Sequence, residues 1–363
     1  SRGPRPLRRH DRSSDAWIFA LLPTPLSDRT WLRGLPKAEL HVHLEGTMTP
    51  EAYARIARRN GFEVPSDPAS LFHCNNFESF LNTFLHVVRA LQRPEDLAEI
   101  TASYLEQSAR EGVRHVEFLF SPATLRHFFK GIDLESIVAA IHGECTRART
   151  THGVSSLLIF DMVRNLGEDA AFADIDLALA SKRYGVVGIG LGGDERTFPA
   201  RDFRRAFERA ERMGLRRTVH AGEADGRHSI VDAVELLHAE RIGHGVAAAG
   251  EEDVLRLLRG RGVAVDVCLT SNTVTGAWNG RGVHPVGEFL RADVVVALSS
   301  DDPSFFGASL LDEYERAAHH GLGRPEIIQL ARNSFQSSFA PEKEKRAWLD
   351  ELDAYIATRQ ARH

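Results

Sequence analysis

The stretch Lys37–His43, KAELHVH, follows a Gly34-Leu35-Pro36 turn and alternates apolar with polar residues. As a strand it sends residues two apart to the same face, so the imidazoles of His41 and His43 project side by side into one space. A metal site begins that way. Seven further short runs rich in Val, Ile and Leu succeed it: VRHVEFLF (113–120), VSSLLIF (154–160), VVGIGL (186–191), RRTVH (216–220), RIGHG (241–245), VAVDVC (263–268) and VVVALSS (294–300). Amphipathic stretches such as DLESIVAAIHGECTRA (133–148), PARDFRRAFERAERMG (199–214) and SIVDAVELLHA (229–239) lie between them. Short buried strands alternating with crossover helices make an α/β fold, a (β/α)8 TIM barrel, the expectation.

One connection breaks the rhythm. The segment from His43 to Gly112 is far longer than a usual link after a strand, and holds TPEAYARIARRNG (49–61), FESFLNTFLHVVRAL (77–91) and PEDLAEITASYLEQSAR (94–110). Residues 44–112 are therefore expected to form a helical insertion on the end of the barrel where active sites lie, placed to act as a lid. Residues 1–34, opening on the Arg-, Pro- and Ser-rich SRGPRPLRRHDRSSD, are expected to be a disordered extension, with 35–360 a single domain.

Composition narrows the functional classes. The 363 residues are 43% hydrophobic and 26% charged with a formal net charge of -5, so no nucleic-acid partner is expected. No run is long enough to span a bilayer, and no membrane partner is expected. Three cysteines without a CxxC spacing point to a reducing compartment, and a cytoplasmic location is the expectation. Oligomeric state is not legible.

In a barrel the carboxyl ends of the strands converge on one pocket. The first strand ends in His41 and His43, the fifth in His220, the sixth in His244, and the eighth in Asp301 and Asp302. A lone histidine at a strand end is more often a hydrogen-bonded rim residue, but four with a carboxylate at one mouth are hard to explain that way, and three imidazoles with one carboxylate suit zinc in an open, catalytic site. Glu223, three residues beyond His220, can exchange protons without ligating the metal. His244 reads either as a further ligand or as a base, and the glycines flanking it leave room for a small ligand. Gly192 and Gly193 at the fourth strand's tip argue against a residue bridging two metals, although Asp194 and Glu195 follow closely. The HAE at 238–240 lacks the P-C-x-x-C partner of cytidine-type zinc deaminases.

Taken together, LPKAELHVHLEG (35–46), GLGGDE (190–195), HAGE (220–223), AERIGHG (239–245), TSNTVTGAW (270–278) and SSDDP (299–303) resemble the motifs of the adenosine deaminase family, in order, from about Leu35 to about Tyr355. The resemblance implies one zinc per chain held by His41, His43, His220 and Asp301. Glu223 would protonate a purine at N1, and His244 would orient and deprotonate the attacking water. Gly193 and Asp302 would hold purine nitrogens. The implied reaction is hydrolytic loss of ammonia from C6 of a small-molecule purine. Glu45 stands where adenosine-specific members carry aspartate facing the ribose, which leaves open ribose, no substituent, or the larger group of 6-aminodeoxyfutalosine on N9. Ser299, Ser300 and Leu269 also depart from the family pattern and are expected to line the pocket, with Arg227 and His228 near its mouth. A non-catalytic nucleoside-binding module is the rival from another class.

Overall fold

The computed structural model describes residues 28–360 apart from 75 and 281. Eight parallel strands follow one another in sequence order: β1 (Lys37–His43), β2 (Val113–Phe120), β3 (Ser155–Val163), β4 (Val186–Gly192), β5 (Arg216–Ala221), β6 (Arg241–His244), β7 (Ala264–Val267) and β8 (Val296–Leu298). The barrel closes through Asp301 rather than through β8 itself. Asp301 N–H donates to His41 O at 3.1 Å and His43 N–H donates to Asp301 O at 2.9 Å, bridging to Val42. The expected (β/α)8 barrel is what the chain forms.

The β4–β5 seam is narrow, pairing only at Gly188–Arg216 and Ile189–Arg217. A Cβ at Gly188 would lie 2.6 Å from Arg216 O, so glycine lets the two backbones approach. Low in the barrel, buried Arg241 donates to Asp266 Oδ2 at 3.0 Å and to Leu40 O at 3.1 Å, and pairs with Glu117 Oε2 at 2.6 Å. One guanidinium thus ties together β1, β2, β6 and β7, each charge compensated as burial demands.

The long connection divides differently from expectation. Helix Pro94–Arg110 turns Leu97, Ile100, Thr101, Tyr104, Leu105 and Ser108 inward and packs against β2 and helix Leu134–His152, so it is the crossover between β1 and β2. The insertion proper is shorter than 44–112: helices Pro50–Arg59 and Phe77–Val88 with a short 3-10 turn, Pro68–Phe72, between them. The expected extension at 1–34 also needs correction at its end. Arg29–Gly34 is a helix whose Asp28 side chain accepts Trp31 N–H, with Trp31 and Leu32 buried and Tyr355 Oη donating to Trp31 O at 2.8 Å. Two apolar residues within six supply the core contact that the Arg-rich opening hid. Residues 1–27 lie outside the described residues. No described helix is long and apolar enough to cross a membrane.

Candidate active site

The mouth of the barrel gathers the strand-end residues. His41 and His43 leave β1, His220 is in β5, and His244 ends β6. The ring centroids of His41 lie 5.5 Å from His43, 4.5 Å from His220 and 5.1 Å from His244. Asp301 Oδ1 stands 3.4 Å from His41 Nε2 and 3.3 Å from His43 Nε2, and Ser271 Oγ donates to its other oxygen at 2.6 Å. His244 (φ 67) and Asp301 (φ 66) both adopt the left-handed region. That conformation costs about 1–3 kcal/mol per residue and turns both side chains into the mouth.

These donors suit a divalent cation. Neither ring nitrogen of buried His41 has a hydrogen-bond partner. Burial, opposed by Asp301, pushes the His41 pKa down to about 4, and burial holds His220 well below the ordinary range, so both imidazoles offer free lone pairs. His43 goes the other way. Burial would depress it, but Asp302, Asp301 and Asp161 together raise it well above its usual value. A surplus of buried carboxylate that draws a proton onto His43 is a surplus a cation would satisfy. Ligating atoms of His41, His220, His244 and Asp301 all lie within 4.8 Å of one another, as do those of His43, Asp301 and Asp302. By these distances it is His244 that joins His41, His220 and Asp301, although His43 Nε2 also stands within reach of Asp301, so both histidines are candidates for a third imidazole ligand.

A cavity of about 130 Å³ adjoins the cluster, bounded by His43, Gly193, His220, Glu223, His244 and Asp302 among others, with Phe80, Leu81, Phe84 and Leu85 of the insertion on its apolar side. Glu223, beside His244 Nε2 at 3.7 Å, has its pKa raised chiefly by burial, which favours the protonated form. Asp302 has a buried oxygen, Oδ1, without a partner, and burial pushes its pKa well up. An unpartnered buried carboxyl oxygen beside a cavity calls for a hydrogen-bond partner.

Several expectations change. Glu45 does not line the cavity: its Oε1 accepts Ser121 N–H at 3.0 Å, so it stands behind the wall that Ser121 forms. Ser299 and Ser300 are buried away from the cavity. Ser299 Oγ accepts the N–H groups of Leu40 and His41, and Ser300 Oγ donates to Glu39, so they fasten the closing seam of the barrel. Leu269 is likewise absent from the cavity wall. Arg227 pairs at the surface with Glu251 and Asp253, and His228 with Asp225. The glycines beside His244 do not make room for a ligand. A Cβ on Gly243 would lie 2.5 Å from His41 Cε1, and one on Gly245 would lie 2.7 Å from Val265. Glu195 does not face the metal cluster either; its carboxylate accepts the N–H groups of residues 222 to 225 and sets the loop that carries Glu223.

Sequence reasoning missed Asp161, near the end of β3. It is buried beside His43, with Oδ2 3.8 Å from Nδ1, and burial raises its pKa to about 7. Gly190 and Gly192 leave the space its carboxyl fills. It also missed the buried amide Asn272, whose Nδ2 is 3.0 Å from His244 Nδ1. Asp161 lies in no recognisable spacing, with Gly190 and Gly192 in β4 its one signal, whereas Asn272 sits inside the TSNTVTGAW stretch with no role assigned to it.

Comparison with known proteins agrees with this geometry. The family model for adenosine deaminase matches residues 36–355. An adenine deaminase of Geotalea uraniireducens is 35% identical over 328 residues, covering 89% of this chain and 92% of that protein. The crystal structure of an adenine deaminase from Arthrobacter aurescens superposes with a TM-score of 0.84 at 35% identity, over 89% of this chain and 99% of that one. A zinc-bound amidohydrolase from Burkholderia ambifaria gives 0.83 at 26% identity, over 94% and 98%.

Proposed function

The chain belongs to the adenosine deaminase family and is a hydrolytic deaminase of a 6-aminopurine, and we propose that its substrate is the free base adenine. The observation that carries this choice is the cavity beside the histidine cluster, whose apolar side, built by Phe80, Leu81, Phe84 and Leu85, offers a planar base a face to lie against. The relatives named adenine deaminase at 35% identity support the same substrate.

His41, His43, His220 and Asp301 would hold one zinc per chain, in keeping with the zinc in the Burkholderia ambifaria structure. Zinc bound there would act as a Lewis acid and lower the pKa of water to about 7. The remaining work falls to the chain's own residues. Asp302 and the Gly193 backbone bind ring nitrogens and set the base edge-on to the cluster. Glu223, whose pKa burial raises, gives its proton to N1 as water adds at C6, and its carboxylate takes up the proton that the water loses. His244 orients that water. The C6–N bond then breaks as Glu223 returns that proton to the amino group, which leaves as ammonia, while the C6 hydroxyl gives its proton back to Glu223 and hypoxanthine remains. Phe80 and Phe84 exclude bulk water. Their rings contact Phe305, and Phe80 also contacts Phe306, in the turn directly after Asp302, so the lid packs against the segment that carries the substrate-binding carboxyl.

The test is kcat/KM across adenine, adenosine and 5′-substituted adenosines, followed by ultraviolet absorbance and released ammonia. Adenine is expected to lead. A clear preference for adenosine would reject the free-base assignment while keeping the reaction class.

A further inference from the structure

Behind His244, on the side away from the cavity, a chain of buried hydrogen bonds decides which of its nitrogens carries the proton. It starts at a group that can act in one direction only. Val286 N–H donates to His284 Nδ1 at 3.1 Å. That nitrogen must therefore hold a lone pair, and the neutral ring carries its proton on Nε2. Burial, with His320 alongside, pushes the His284 pKa down to about 3, so the ring is neutral. His284 Nε2–H then donates to Asn272 Oδ1 at 3.3 Å. With its oxygen engaged there, the amide turns its NH2 toward His244 Nδ1 at 3.0 Å. His244 Nδ1 is the acceptor, and its own proton sits on Nε2, facing Glu223 and Asp301. The opposite polarity would put a second N–H against Val286 N–H. Asn272 is fully buried and His284 nearly so, so no solvent stands ready to mend that clash.

We propose that the Val286–His284–Asn272 relay holds His244 as its Nε2–H tautomer, so that His244 is a hydrogen-bond donor to the attacking water and neither its base nor a metal ligand. Asn272 and His284 are then positioning residues. A ligating nitrogen needs a free lone pair, so the relay resolves the choice between the two candidate third histidines in favour of His43. It also leaves proton transfer to Glu223. This reasoning rests on the deaminase reading for its catalytic part, but the tautomer itself does not depend on it.

The experiment is 15N NMR of histidine-labelled, metal-free protein at neutral pH, with the His244 signals assigned by their loss in His244→Gln. The expected spectrum shows His244 protonated at Nε2 with a lone pair on Nδ1. Asn272→Asp replaces the donor with a group that only accepts, and is expected to move the proton to Nδ1. In the zinc-loaded enzyme it should lower kcat by about 10-fold or more, below the about 10²–10⁴-fold of a group that transfers the proton itself, with KM within about twofold. A wild-type His244 protonated on Nδ1 would overturn the relay, as would an Asn272→Asp variant with unchanged tautomer. An Nε2–H tautomer in a zinc-loaded protein inert toward every 6-aminopurine would support the relay and contradict the deaminase reading instead.

Discussion

Glu195→Gln isolates the device that places Glu223. In the wild type, Oε1 accepts Gly222 N–H at 2.6 Å, while Oε2 accepts those of Glu223, Ala224 and Asp225 at 3.1, 2.6 and 3.2 Å. Glutamine has nearly the same shape but offers one acceptor and one donor. Its least costly pose points the oxygen at the three N–H groups and the NH2 at Gly222, which exchanges one short charge-assisted bond for two facing donors. Losing a hydrogen bond to a charged group costs about 1.5–3 kcal/mol, and the remaining three become neutral and weaker. Because the site is buried, solvent does not restore the loss. The variant should therefore unfold at lower urea with an unchanged m value, by about 2–3 kcal/mol at least. Its kcat should fall as the loop carrying Glu223 loosens, while zinc content stays near wild type. Equal urea midpoints and equal kcat/KM in the two proteins would refute the claim that Glu195 organises this loop.

Gly243→Ala should expel the His41 ring, since a Cβ would sit 2.5 Å from its Cε1; overpacking of this kind costs about 1–3 kcal/mol, and metal content by elemental analysis should drop with stability. Metal retained at wild-type level would show that the neighbouring strand gives way instead. His284 adds a pH-dependent contribution. Its folded pKa of about 3 lies below the unfolded value of about 6.5, so the unfolded state binds more protons between them and stability is lost as pH falls through that window. The advantage of wild type over His284→Gln in urea should shrink by about 1.4 kcal/mol per pH unit below pH 6; a constant difference from pH 7 to 5 would count against the buried neutral ring. Glu45→Asp shortens the side chain that holds Ser121 N–H, so the wall should relax and adenosine should gain on adenine; an unchanged ratio would remove Glu45 from specificity.

The sequence carried the barrel because its strands are short, apolar and ordered along the chain, and it carried His41, His43, His220, His244 and Asp301 because each closes a strand. What it concealed depends on distance in space. Glu195 sits beside two glycines in a motif, yet its partners are backbone amides 27 to 30 residues away, which have no residue identity to read. Gly243 looked like space for a ligand, and only the packing of β1 against β6 across the barrel shows that the space belongs to His41. Ser299 and Ser300 were expected in the pocket because they depart from the family pattern, but Ser299 Oγ accepts the N–H groups of Leu40 and His41 and Ser300 Oγ donates to Glu39, so both hold the seam. The Arg29–Gly34 helix was lost because its anchors meet residues far along the chain: Arg29 pairs with Asp312 and Glu315, and Tyr355, which holds Trp31 O, is more than three hundred residues away.

The central claim is that zinc held by His41, His43, His220 and Asp301 and a proton delivered by Glu223 together remove the amino group of a 6-aminopurine. Glu223→Gln tests it most directly, because the amide keeps the shape and removes the proton. Zinc content and adenine binding should stay near wild type, while ammonia release falls by about 10²- to 10⁴-fold. Near-normal turnover would move the proton to another residue, and loss of zinc would make Glu223 a ligand; either result contradicts the account.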